Sequence, residues 1–183
     1  MALSFFWPIA ETSAQAERIN HYGTMSAVLL TLFYVLGVGY AEMGHADFYT
    51  THITSDHRNI AMQMSYMDGL ATGVGSLGAA ANLLSTPEGV VKTEWLIYAF
   101  TYLFFAFFNY IKSRVSQVMH LITVVWVFID MAMNQSIANP AFGIYLIALG
   151  LAFHGARGSF EFHTLKVEER LKEKIKQEEE QAS

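Results

Sequence analysis

The chain has 183 residues, 53% apolar and only 15% charged, against about 25% charged in an average globular protein, so an ordinary soluble domain is disfavoured. Its formal charge of −5 is uneven, because twelve charges fall in the last 23 residues, Glu161 to Ser183. No basic tract with interleaved aromatics precedes that tail, which argues against nucleic-acid binding, and the absence of cysteine excludes disulfides, thiolate metal sites and thiol catalysis.

The opening MALSFFWPIAE lacks the basic n-region of a cleavable signal peptide and reads as mature chain. Phe5, Phe6, Trp7 and Pro8, followed by AETSAQAERIN, suit a short interfacial segment over 1–23 with an aromatic anchor. A membrane-spanning helix needs about 20 predominantly apolar residues. Ile19–Ala41 has no formal charge, and Thr24–Tyr40 is the expected first span.

Gly44–Asn59, GHADFYTTHITSDHRN, places three histidines and two aspartates in sixteen residues. His45, Asp47, His52, Asp56 and His57 are candidate ligands for a divalent metal, since imidazole and carboxylate suit Zn, Mn or Fe. Their spacing matches no H-E-x-x-H pattern. The competing and favoured reading is a polar membrane-surface connector, with Phe48 and Tyr49 at headgroup level and Ser55-Asp56 capping the next helix.

Ile60–Leu84 is long enough to span but is weakly hydrophobic and crossed by Asp68. Ser65, Gly69, Thr72, Gly73, Ser76 and Ala80 recur at three- and four-residue intervals, a small-residue face that lets helix backbones approach closely in lipid. The segment is expected to be a fifth buried helix; a re-entrant or interfacial segment is the alternative. Asp68 and Asp130 are candidates for an ion or proton path, because carboxylates inside a membrane are costly. Asp130 lies near the outer end of its span, where water can reach it.

Trp95–Ile111 is the next span. Its stretch Tyr98–Tyr110 has eight aromatics in thirteen residues, which line a pigment or quinone pocket or, more commonly, form a lipid-facing and packing surface. Val115–Met133 and Ala141–Ala156 are the last two spans. They are joined by the short turn Asn134–Pro140, with Pro140 placed to open the final helix. The short turn makes these spans antiparallel neighbours. His120 and His154 then lie level, about 5–6 Å inside the boundary at 1.5 Å per residue. Such a pair is suited to haem iron, or one histidine to a quinone or pigment magnesium; an interhelical hydrogen bond is the plainer role. No G-x-S-x-G nucleophile motif occurs. Gly73–Gly78 formally matches G-x-G-x-x-G, but no strand precedes it, so a dinucleotide site fails.

The tail from Glu161 alternates acid and base, with Glu168 and Lys172 at the i,i+4 spacing of an exposed helix. Just before it, HGARGSFEFHTLK (His154–Lys166) resembles the close of small uncharacterised bacterial membrane proteins. Those end in an apolar helix followed by G-x-R-G-[ST]-F-x-[YF]-H-x-[LF]. Gly155, Arg157, Gly158, Ser159, Phe160, Phe162, His163 and Leu165 fit that pattern. The resemblance implies a bacterial inner-membrane protein with a cytoplasmic C-terminus, and no activity.

The expected fold is therefore all-α, a polytopic transmembrane helical bundle with five spans, or four and one re-entrant or interfacial segment. Its parts are an interfacial segment 1–23, a transmembrane domain 24–157 and a charged cytoplasmic tail 158–183. The expected function is that of a non-enzymatic subunit of a membrane assembly, with lipid and other membrane subunits or further copies as partners. A transporter or channel subunit centred on Asp68 is the runner-up, and a haem-, pigment- or metal-binding redox protein comes third. Five spans put the N-terminus outside, opposite the basic loops, which are cytoplasmic by the positive-inside rule.

Overall fold

The computed structural model describes residues 10–45, 47–50, 52–70, 83–134 and 140–182. Among them there are six helices and no strand. These are α1 (Ser13–Glu42), α2 (Asp47–Thr50), α3 (Ser55–Leu70), α4 (Pro87–Tyr110), α5 (Arg114–Asn134) and α6 (Pro140–Ala182).

Four helices begin directly after a serine or threonine whose hydroxyl accepts a backbone N–H three residues on. Thr12 takes Gln15 at 3.3 Å, Thr54 takes His57 at 3.4 Å, Thr86 takes Gly89 at 3.1 Å and Ser113 takes Ser116 at 3.3 Å. Each hydroxyl satisfies one of the N–H groups that a helix start leaves unpaired. The cap of α3 is thus Thr54, not Ser55-Asp56. His57 completes it by accepting the Thr54 N–H at Nδ1, 2.9 Å away, in the position a glutamate usually fills in a capping box. α6 opens at Pro140, as expected.

α1, α4, α5 and α6 are each long and apolar enough to cross a membrane. α1 starts eleven residues before the expected Thr24, so much of the segment read as interfacial is the first three turns of this helix. The Phe5–Pro8 anchor lies outside the described residues. α3 has 16 described residues and adjoins, after Leu70, residues outside the described ones. Residues 71–82, and with them Thr72, Gly73, Ser76 and Ala80, lie outside the described residues.

The chain divides into two units, 1–30 with 102–183 and 31–101. In the first, α1 and α4 run antiparallel: Glu17 pairs with Lys112 at 2.6 Å, while further along α1 the Gly23 carbonyl meets Asn109. α5 and α6 are antiparallel neighbours, with Phe128 against Phe142 (ring centroids 4.9 Å apart) at one end and Arg114 over Phe160 at the other. Close packing here rests on glycine. A Cβ on Gly155 would overlap the Gly23 backbone, and one on Gly158 would overlap the backbone of Ile19 and Asn20. In lipid, where association depends on packing rather than on the hydrophobic effect, such sites let helices touch backbone to backbone.

The turn between α4 and α5 is held by the same C-terminal motif. Lys112 has a left-handed backbone (φ 66°), and the Ser113 N–H donates to the Phe108 carbonyl at 3.1 Å, a helix ending usually built on glycine. Three contacts hold Lys112 there. Its ammonium pairs with Glu17 and lies 4.9 Å from the Phe162 ring centroid, and its carbonyl accepts from His163 Nε2 at 3.2 Å. The G-x-R-G-S-F-x-F-H pattern thus acts structurally. Its glycines seat α6 on α1, Arg157 pairs with Glu161 at 2.7 Å, and Phe162 and His163 lock the turn.

In the second unit α1 and α4 are again antiparallel. Trp95 fills a site framed by Phe33, Tyr34, Phe48 and His52, with ring centroids 5.0 to 5.5 Å away. Its ring also lies against Gly37, where any Cβ would collide with it. Glu42 and Lys92 pair at 2.9 Å, so the segment between them leaves and returns at one place. α1 closes at Gly44, whose φ of 105° suits glycine.

Candidate functional site

The buried polar side chains among the described residues are Asn20, Ser26, Asn109, Ser116, Gln117, His120 and Ser159. All belong to the first unit. They sit on helices that are otherwise apolar because each buried seam follows a near-heptad rhythm. Asn20, Gly23 and Ala27 mark it on α1, Gln117, His120 and Val124 on α5, and Ala148, Ala152 and Ser159 on α6.

Asn109 is the hub. Its Nδ2 donates to the Gly23 carbonyl at 3.3 Å and to His120 Nδ1 at 3.1 Å, and its Oδ1 accepts from Ser116 Oγ at 2.7 Å. Its own carbonyl accepts from Asn20 Nδ2 at 3.5 Å. Gln117 Nε2 donates to the Asn20 carbonyl and Oδ1 at 3.2 and 3.1 Å. Ser26 Oγ donates to the Ala148 carbonyl at 2.8 Å. These bonds tie α1 to α4, α5 and α6, and α4 to α5.

The geometry also assigns the His120 proton. The Gly23 carbonyl accepts only, so the Asn109 nitrogen must face it, and with it His120 Nδ1. Nδ1 is therefore the acceptor and the proton of the neutral ring is on Nε2. That N–H is fully buried, has no acceptor among the described residues, and sits by Phe105 (5.4 Å) and Tyr102 (5.9 Å). A metal ligand at Nε2 needs a lone pair, and moving the proton to Nδ1 would turn it into the Asn109 amide. With this proton placement, Nε2 presents an N–H into the core.

His154 is placed differently. Its ring meets Tyr22 edge-on at 6.4 Å, and no hydrogen bond or ring contact joins it to His120 among the described residues. The loop candidates are also separate. His45 stacks on Tyr40 at 4.2 Å, His52 Nδ1 meets the Phe48 carbonyl at 2.9 Å, and His57 Nε2 meets Glu94 at 2.7 Å. Asp47 and Asp56 occupy the first turns of α2 and α3. No group of three metal-capable side chains comes together among the described residues. Asp130 is exposed near the end of α5, Ser65 is exposed on α3, and the side chains of Asp68 and Gly69 lie outside the described residues.

Among the described residues outside the spans, Tyr49 is clearly perturbed. The Tyr49 phenol, buried and donating to Glu42 Oε1 at 3.3 Å, is pushed up to about 12, first by burial and then by the Glu42 charge.

The aromatic run divides by face. Tyr102 and Phe105 are buried, whereas Phe100, Phe104, Phe107 and Tyr110 are exposed. Sequence reasoning missed Asn20, Asn109 and Gln117. Their signal was isolated amides spaced with Gly23, Ser116 and His120 at three- and four-residue steps. No family model matches the chain, and no similar curated protein or solved structure is found.

Proposed function

We propose that this chain is a four-span integral membrane protein acting as a non-enzymatic subunit of a membrane assembly. The carrying observation is an inverted surface. Asn20, Asn109, Gln117 and His120 are fully buried, while Leu36, Phe100, Phe107 and Trp126 are 61 to 75% exposed. Water would reverse that arrangement; hydrocarbon favours it.

Four spans, α1, α4, α5 and α6, fit the helix pairing. The Glu42–Lys92 pair returns the intervening segment to the side from which it left, which supports the re-entrant or interfacial alternative for 60–84. The Glu17–Lys112 pair likewise puts the start of α1 beside the basic turn. With Lys112, Arg114 and Arg157 inside, both ends of the chain face the cytoplasm of a bacterial inner membrane. The 43 residues of α6 reach about 65 Å, twice the hydrocarbon thickness, so its charged half projects into water.

A non-enzymatic role is favoured because the core amides are engaged with one another rather than aimed at an open site. Purification in mild detergent followed by light scattering tests the subunit role. A protein mass above the 20.5 kDa of one chain is expected; a monodisperse single chain, taken directly from native membranes, would contradict it.

A further inference from the structure

At the basic end of the first unit, Lys112 is neutralised by Glu17 and Arg157 by Glu161. Arg114 is different. It is exposed and makes no ion pair among the described residues. Its guanidinium carbon lies 5.8 Å from the centroid of the Phe160 ring, and Phe160 is itself half exposed. A guanidinium resting on an aromatic face keeps its N–H edges free, and those edges match a phosphate's oxygens in pairs.

The surface beside it is apolar. Val115, Met119 and Ile122 follow Arg114 on α5 at i+1, i+5 and i+8 and are 74, 50 and 55% exposed. Phe153 and Phe160, seven residues apart on α6, are 44 and 51% exposed. Arg114 meets the α6 strip through Phe160, whereas Val115, Met119 and Ile122 lie about 80–140° round α5 from Arg114 at ~100° per residue. A single cation therefore stands at the head of an apolar track, the charge order of an anionic lipid with its acyl chain.

We propose that Arg114 and Phe160 form an interfacial site for the phosphate of an anionic phospholipid, whose acyl chain lies along Phe160 and Phe153 on α6. The inference rests on the membrane reading above. A zwitterionic lipid is a poorer occupant, since its own ammonium competes for the phosphate. Retention of a net-negative headgroup by one surface cation is a modest effect, about 1 kcal/mol or fivefold.

The full chain, reconstituted in discs of phosphatidylcholine with a minor share of phosphatidylglycerol and then re-extracted in mild detergent, is assayed for retained lipid by mass spectrometry. The wild type should retain phosphatidylglycerol above its bulk share, and Arg114→Gln should lower that enrichment about fivefold. Arg170→Gln, in the exposed tail, should not. Helicity by circular dichroism certifies the fold of each variant, and Arg114→Lys should keep part of the enrichment. Equal enrichment in wild type and Arg114→Gln overturns the site, as does displacement of the lipid by millimolar inorganic phosphate. Failure of the wild type to enter discs at all overturns the membrane reading itself.

Discussion

Asn109 donates to His120 Nδ1 across 3.1 Å, joining the end of α4 to the second turn of α5 around the left-handed Lys112. The same amide serves Gly23 and Ser116, so its loss orphans several buried groups together. Interhelical hydrogen bonds in membrane proteins contribute about 0.6 to 2 kcal/mol each. Asn109→Ala should therefore lower stability by about 2 kcal/mol or more, read as an earlier thermal transition in detergent. An unchanged transition would mean that the polar core is not holding the helices.

The same bond makes a spectroscopic prediction. Nitrogen NMR of histidine-labelled protein should show His120 as the Nε2–H tautomer, and Asn109→Leu should release that preference. A dominant Nδ1–H form in the wild type would contradict the assigned geometry and leave the lone pair on Nε2.

Glycine packing supplies an internally controlled test. Gly155→Leu and Gly158→Leu drive side chains into the α1 backbone, which cannot retract as a flexible side chain can. Overpacking of this kind costs about 1–3 kcal/mol or more. Gly143→Ala and Gly150→Ala, where an added Cβ meets nothing within 4 Å, should leave the transition in place. Equal effects in both groups would dismiss the close approach of α1 and α6.

Much of this architecture was legible in the sequence, for reasons particular to each part. Long charge-free runs announce the apolar helices, and Pro140 and the Lys112–Arg114 cluster mark their ends. The polar core was less legible. Asn20, Asn109 and Gln117 each look like a single interruption in an apolar helix, and only their convergence reveals a network. Among the described residues, close packing falls on Gly23, Gly37, Gly155 and Gly158, while Thr72, Gly73, Ser76 and Ala80 lie outside them. Small-residue spacing shows that a face can pack closely, but not which partner it meets. The histidine-rich loop was conspicuous by composition, yet its imidazoles were drawn to Tyr40, the Phe48 carbonyl and Glu94, because neighbours in the chain and on α4 lie within easy reach.

Tyr49 gives a pH signature. Its phenol titrates near 12 in the folded chain, against about 10 when unfolded. The folded state thus holds this proton more tightly. Its contribution is fully present below about pH 10 and is lost as pH rises from there to about 12. Tyr49→Phe should flatten that alkaline decline in stability. Identical slopes for wild type and variant between pH 10 and 12 would place the phenol in contact with water.

The topology is tested most directly by side-specific thiol labelling, which the cysteine-free chain permits without background. Ala14→Cys, Met43→Cys and Glu173→Cys each sit at exposed positions. In sealed, uniformly oriented vesicles, an impermeant maleimide should reach the Ala14 and Glu173 sites from one face and the Met43 site from the other. Labelling of the Ala14 and Glu173 sites from opposite faces would require an odd number of crossings and contradict the four-span account.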